Sequence, residues 1–300
     1  MLCFLKRNKE TKMLKFYIDA FADMFGEELK ENNLNLAPSK LQKNSKIIDF
    51  QGYKEKEDFS KILQDIKKHK YTIIPLTSDE WFEFFKKDLD NNDEIIFFSV
   101  SLKLLHDQGK ALKSAFAKLN KTYPKQKAIL IDTLTVSRGT SKIASLTQLV
   151  YQKSQDLDQA LDFADTLIGK FVSVIALDNV QSLKNSPLLS HLAENFTGTS
   201  LNMKPIISIN TDGKFSILDK EKGFKSAVLK LYGTAKKNGR NIADYAFSIV
   251  NFNADNESQA LYDKFRQIVN ENEIKIVPLS LNNASILGGK CVSITFHSKF

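Results

Sequence analysis

At 300 residues, with 42% hydrophobic and 26% charged side chains, the chain exceeds the usual single-domain length and can bury a large core, which excludes a disordered protein and favours two domains. The formal charge of +8 comes from short scattered groups such as Lys6-Arg7, Lys67-Lys68 and Lys236-Lys237, so a solvated lysine-rich surface is read and no nucleic-acid partner is expected. Cys3 and Cys291 form no CxxC pair and no run approaches the roughly 18 apolar residues of a spanning helix, so a disulfide scaffold, a thiolate metal site and stable membrane insertion are all unsignalled. The opening residues put a short apolar segment before the charge, the reverse of a secretory signal, and a cytoplasmic location is expected.

Residues 15–19 (KFYID) read as a first strand ending in Asp19, with a helix through residues 25–29 behind it. A short strand at residues 34–37 precedes Pro38, residues 42–53 read as polar and irregular, and Phe59, Ile62, Leu63 and Ile66 have helical spacing. Three apolar runs of strand length follow, at residues 72–76, 94–100 and 128–132. Each leads into a helix: one opened by Thr77-Ser78, one through residues 111–119, and one after Ser137-Arg138-Gly139 that runs to Tyr151. Such alternation predicts βαβ units and a parallel, doubly wound sheet. Its strand ends at Asp19, Thr77-Ser78, Ser101 and Asp132 converge on one side, where ligands of open α/β sheets bind.

Asp156 or Asp158 is expected to cap a helix over residues 159–168 that ends at Gly169, and the domain boundary is placed there, giving domains 13–169 and 170–300. Beyond it come a strand at 171–177, a helical stretch at 179–184, and a hairpin of 204–209 with 215–218 turned by Asp212-Gly213. Helix 222–236, strand 245–250, helix 258–269, strand 273–279, a glycine-bearing loop and a last strand at 291–296 complete the chain.

Catalytic constellations are scarce. His69, His106, His191 and His297 lack the spacing of metal ligands, and no GxSxG elbow, Walker loop or GxGxxG fingerprint is present. Asp19, Asp23, Asp132 and Asp178 are read as strand-end and capping residues that bond the local backbone, so no metal site is expected. Thr77-Ser78-Asp79-Glu80 fits a capping box; the competing use of Thr77 and Ser78 as ligand hydroxyls rests on Ser101 ending the neighbouring strand. Gly288-Gly289-Lys290 reads as a turn that exploits positive φ, the alternative being an anion nest.

Several short pieces, taken in order, carry a resemblance. Tyr17-Ile18-Asp19 with Ala22-Asp23 is similar to a TDSTADL-type opening, Thr77-Ser78 to a TSQP motif, and Val100-Ser101 with Lys103-Leu104 to ISSKLSGTYQ. Ile131-Asp132 with Ser137 and Gly139, Leu177-Asp178 with Leu183-Lys184, Met203-Lys204-Pro205 with Asp212-Gly213, and the stretch from Gly288 to Phe296 extend the match over residues 15–296. The chain thus resembles the DegV family of bacterial fatty-acid-binding proteins. The resemblance implies a two-domain α/β fold, an N-terminal domain with a mostly parallel sheet flanked by helices and a C-terminal α/β domain with a mainly antiparallel sheet. It implies that a long-chain fatty acid lies in the cleft between them, and that a separate ATP-dependent fatty acid kinase subunit receives the carboxylate and makes an acyl phosphate. The chain would then be a carrier with no catalytic residue, cofactor or metal of its own. By position, Thr77 and Ser101 are the headgroup candidates, with Ser78, Gly288 and Gly289 in support. Departures fall on that site: Leu102, Leu188 and Ile286 stand where the family has a serine, a glycine-rich stretch and a histidine, and Arg138 and Lys290 are the candidates to compensate. The alternative is a divergent DegV-fold paralogue that binds another amphiphile or acts as an interaction protein.

Overall fold

The computed structural model describes residues 13–50, 61, 64–66, 68–186, 188–209, 212–240, 247–269 and 274–298. Most of the helix expected at 59–66, together with Cys3, Asn210, Thr211, the start of the strand expected at 245–250 and Glu273, lies outside them.

The first half builds a doubly wound sheet. Strand β1 (Leu14–Ile18) is followed by α1 (Gly26–Glu31), β2 (Leu34–Leu36), β3 (Ser39–Lys43), β4 (Lys46–Phe50) and β5 (Tyr71–Ile74). Then come α2 (Ser78–Asp90), β6 (Glu94–Ser99), α3 (His106–Thr122), β7 (Ala128–Asp132), α4 (Arg138–Ser154) and α5 (Leu157–Leu167). Strands β2-β1-β6-β7 form a four-stranded sheet whose pairs are all parallel. In β6 the period of two sends Ile95 and Phe97 to the α2–α3 side and Ile96 and Phe98 to the α4–α5 side, so both faces are buried and the strand reads as one apolar run. Along α2, Trp81, Phe82, Phe85 and Leu89 make the buried stripe; Phe85 stacks on Trp81 with centroids 5.9 Å apart and meets Phe116 of α3 edge-on at 5.1 Å.

Two expectations are corrected here. Of the stretch 42–53 expected to be irregular, residues 42–50 are not: β3 and β4 pair as a hairpin turned at Asn44, whose φ is +53°, and residues 51–53 lie outside the described residues. The polar side chains misled because this hairpin buries a single column around Leu41. The strand expected to join the parallel sheet at residues 72–76 is β5, which instead pairs antiparallel with β3 (Lys40 opposite Ile74, Lys43 opposite Tyr71) in a separate three-stranded sheet, β4-β3-β5. Tyr71 is buried and Thr72 exposed, so β5 has one wet face, which an antiparallel edge tolerates and the middle of a doubly covered sheet does not.

The second half contributes β8 (Phe171–Leu177), α6 (Gln181–Asn185), α7 (Ser190–Ala193), a 3-10 turn (Gly198–Asn202), β9 (Lys204–Ile209), β10 (Phe215–Glu221) and α8 (Phe224–Asn238). After them come β11 (Phe247–Phe252), α9 (Asp255–Phe265), β12 (Ile274–Pro278), α10 (Leu281–Leu287) and β13 (Cys291–His297). The six-stranded sheet runs β10-β9-β8-β13-β11-β12 and is antiparallel except for the parallel pair β11–β12. Its outer face carries Val292, Ile294 and Phe296 of β13 into a core with Leu231 of α8 and Leu261 and Phe265 of α9. By alternation Cys291, Ser293 and Thr295 occupy the other face, toward the carboxyl ends of the parallel strands. The glycine-bearing loop expected before β13 contains α10, a further correction; Ser280 caps it by accepting the Asn283 amide at 3.1 Å. Among the described residues, no helix is long and apolar enough to cross a membrane.

Candidate functional site

The inner face of the six-stranded sheet meets the carboxyl ends of β1, β6 and β7 around a narrow cavity. Phe21, Val100 and Val136 follow the three parallel strands; Leu104 and Leu105 lead into α3; Ile175, Phe215 and Leu279 come from the second sheet and its connections. Leu188 sits beside them, and α10 supplies Ile286 and Leu287. The polar side chains of the lining are Ser137, Asn283 and Ser293, and no charged side chain belongs to it. A space so lined accepts a hydrophobic chain and gives it few points of polar recognition.

Buried carboxylates shape the rim. Asp19 ends β1 and accepts from the Phe21 amide at 3.1 Å, the Ser99 hydroxyl at 3.2 Å and the Val100 amide at 3.4 Å, which fixes the two loops that carry Phe21 and Val100 into the cavity. Burial pushes its carboxyl up to about 6, against the lowering effect of those hydrogen bonds. Asp23, also raised by burial, accepts from the Ser137 hydroxyl, from the Ser280 amide at 2.7 Å and from Asn283 Nδ2 at 2.9 Å. Asp23 and Ser137 both hold positive φ, +51° and +57°, conformations that cost side-chain-bearing residues on the order of 1–3 kcal/mol each and persist where surroundings enforce them. Arg138 lies behind this pair: its guanidinium binds Glu28 bidentately, donates to the Asp23 carbonyl at 2.9 Å and reaches Ser248 Oγ at 3.1 Å. The donors of Ser137 and Asn283 therefore point into the rim. Ser293 Oγ, by contrast, is buried without a hydrogen-bond partner.

The residues singled out from sequence occupy different places. Thr77 is exposed at the start of α2 in a complete capping box: its Oγ1 accepts the Glu80 amide at 3.2 Å, and Glu80 Oε2 accepts the Thr77 amide at 2.8 Å. Ser78 is the first helical residue. Ser101 is fully buried, and its hydroxyl donates to the Gly213 carbonyl at 2.7 Å, clamping the β9–β10 turn onto the end of β6. Gly288 and Gly289 turn the chain out of α10 with φ of +53° and +65°; the Gly288 carbonyl accepts from Ser182 at 3.1 Å, and Lys290 pairs with Glu257 at 2.5 Å. None of these residues lines the cavity. Of the three departures from the family motifs, Leu188 and Ile286 line it, whereas Leu102 packs with the α2–α3 core.

Sequence reasoning missed Asn283 and Ser293. The Ser280-x-x-Asn283 spacing was a readable helix start. In β13, the apolar set Val292-Ile294-Phe296 alternating with Cys291-Ser293-Thr295 signalled a strand with one face on something other than an ordinary core. From sequence, Asp23 reads as a capping residue weighed against a metal ligand and as part of the opening motif; its three long-range donors become evident only in the fold.

A family model described as the DegV family matches residues 13–299. Among curated relatives, the DegV domain-containing protein YteA of Lactococcus lactis is 22% identical over 214 residues, 71% of this chain and 73% of that protein. Among solved structures, a stearic acid-binding protein from Eubacterium ventriosum superposes with a TM-score of 0.78 at 13% identity, over 96% of this chain and 99% of that one. A fatty acid binding DegV family protein from Streptococcus agalactiae gives a TM-score of 0.77 at 16% identity, over 96% of this chain and 100% of that one. With the mostly parallel sheet, the mainly antiparallel sheet and the match along nearly the whole length, the chain belongs to the DegV family.

Proposed function

We propose that the protein binds a long-chain fatty acid in the cleft between its two larger sheets and presents the carboxylate to a separate ATP-dependent fatty acid kinase subunit, in the cytoplasm. The observation that carries this reading is the cavity itself, apolar except for Ser137, Asn283 and Ser293 and set where strand ends and helix starts converge. Burying a methylene is worth about 0.8 kcal/mol, so a long acyl chain supplies on the order of 10 kcal/mol before ordering costs. That leaves the polar end with the task of orientation. The start of α3, beside the lining residues Leu104 and Leu105, suits a carboxylate: the helix has no side-chain cap there, so its first amides and its dipole remain available to an anion. Ser101 supports that turn, its carbonyl accepting the Leu104 amide at 3.0 Å. The solved relatives described as stearic acid-binding and fatty acid binding support the same ligand class. We read residues 13–169 and 170–300 as the two domains that share the cleft.

A second reading, a paralogue that takes another amphiphile, is favoured by Leu188 and Ile286 in the lining. Titration of delipidated protein with stearic acid and with stearyl alcohol separates the two. Tighter binding of the acid supports the first reading; binding of the alcohol alone supports the second; and protein that takes up neither defeats both.

A further inference from the structure

We propose that Ser293 is a specificity-determining contact for an uncharged oxygen carried along the acyl chain, a hydroxyl or keto group, so that the cleft selects an oxygenated chain over a plain one. The inference rests on the reading that the cleft holds an acyl ligand.

Ser293 is 1% exposed, lines the cavity, and its hydroxyl oxygen has no hydrogen-bond partner. Buried hydroxyls in folded proteins are almost always paired, and one left bare is costly, so its partner is expected to arrive with the ligand. Two residues further along the same face, Thr295 meets Ser173 at 2.9 Å, and Ser173 reaches the Val136 carbonyl at 3.0 Å. Thr295 and Ser173 thus satisfy each other and the Val136 carbonyl, whereas Ser293 Oγ has no such partner.

Position and charge define what can meet it. Ser293 lies opposite Ile175 on one side and Val250 on the other, in the interior of the sheet, whereas Leu104 and Leu105 belong to the turn that leads into α3. A carboxylate held there would have a single hydroxyl donor, because Ser137 and Asn283 already donate to Asp23, and that buried acid would repel it. A buried charge needs more than one donor or a cation; a neutral oxygen does not. With the carboxylate at the uncapped start of α3, the oxygen at Ser293 belongs to the body of the chain.

The test is calorimetric titration of delipidated wild type and Ser293→Ala with stearic acid and a positional series of monohydroxystearic acids. One hydrogen bond of ordinary strength gives the best-placed isomer an advantage of about five- to tenfold over stearic acid in wild type. Ser293→Ala should erase that preference, read as the ratio of each isomer's affinity to that of stearic acid in the same protein, and melt no lower than wild type, since the lost hydroxyl had no partner. Equal affinity for every isomer, or the same preference in Ser293→Ala, overturns the proposal while leaving the acyl reading of the cleft intact. If no member of the series binds wild type, the acyl reading falls and this inference falls with it.

Discussion

The contact between Ser101 and Gly213 gives the sharpest test of how the cleft is assembled. In Ser101→Ala, the buried Gly213 carbonyl loses its donor, a loss of about 1–3 kcal/mol. In Gly213→Ala, two effects combine. The residue sits at φ +74°, which costs an L side chain about 1–2 kcal/mol, and the new methyl falls inside contact distance of Ser101 Oγ, so the same hydrogen bond breaks. The single variant should lose about 2–5 kcal/mol. In the double variant the offending oxygen is gone; the methyl then faces Ser101 Cβ at 3.1 Å and Leu134 Cδ2 at 3.4 Å, tight but bearable. The two losses therefore share one broken bond, and the double variant should be more stable than the sum of the singles implies by about 1–3 kcal/mol. Urea denaturation of the four proteins measures this. Additivity within about 0.5 kcal/mol refutes the clamp. A Ser101→Ala protein of unchanged stability that no longer binds fatty acid would return the hydroxyl to the ligand.

Two further outcomes follow from the geometry. Asp19 has a folded-state pKa of about 6, above its ordinary value of 3.8, so the native state holds this proton more tightly than the unfolded chain. Its contribution to stability is greatest below the unfolded value and declines as pH rises toward 6, by about 3 kcal/mol in total, and thermal melts across pH 4 to 7 should show that much less decline in Asp19→Asn than in wild type; parallel profiles would contradict it. Thr77→Ala removes the acceptor for the Glu80 amide and should cost about 1 kcal/mol of stability with fatty-acid affinity unchanged, as judged by denaturation and titration together, whereas a large loss of affinity would assign Thr77 to the headgroup.

Much of the fold was legible because its long elements obey one period each. The runs at β6 and β7 are apolar throughout, as strands buried on both faces must be, and the Asp-Gly turn announced the β9–β10 hairpin. The elements that escaped are short and polar. β3 and β4 bury one residue column, and α10 is a seven-residue helix whose core role depends on a sheet far away in sequence. The site was less legible for a related reason. Thr77 and Ser101 were read as hydroxyls at strand ends, which they are, but a hydroxyl's availability is decided by its partner, and those partners are Glu80, three residues on, and Gly213, 112 residues on. Local sequence revealed the first and concealed the second.

Hydrogen bonds between the sheets frame the cleft independently of any occupant. The sheets are joined around the cavity by Ser101 to Gly213, Ser173 to Val136, Arg138 to Ser248, and Asp23 to Ser280 and Asn283, none of which depends on a ligand. These bonds satisfy buried polar groups where the two sheets meet and fix the loops that carry the apolar lining. On the proposed reading, affinity scales with the methylenes that the cavity covers, and Leu188 and Ile286 add apolar surface to its lining. Neither of them offers a hydrogen-bond donor to a charged end. Selectivity then passes to whatever unpaired polar atom is left along the chain's path, and in the cavity lining that atom is Ser293 Oγ.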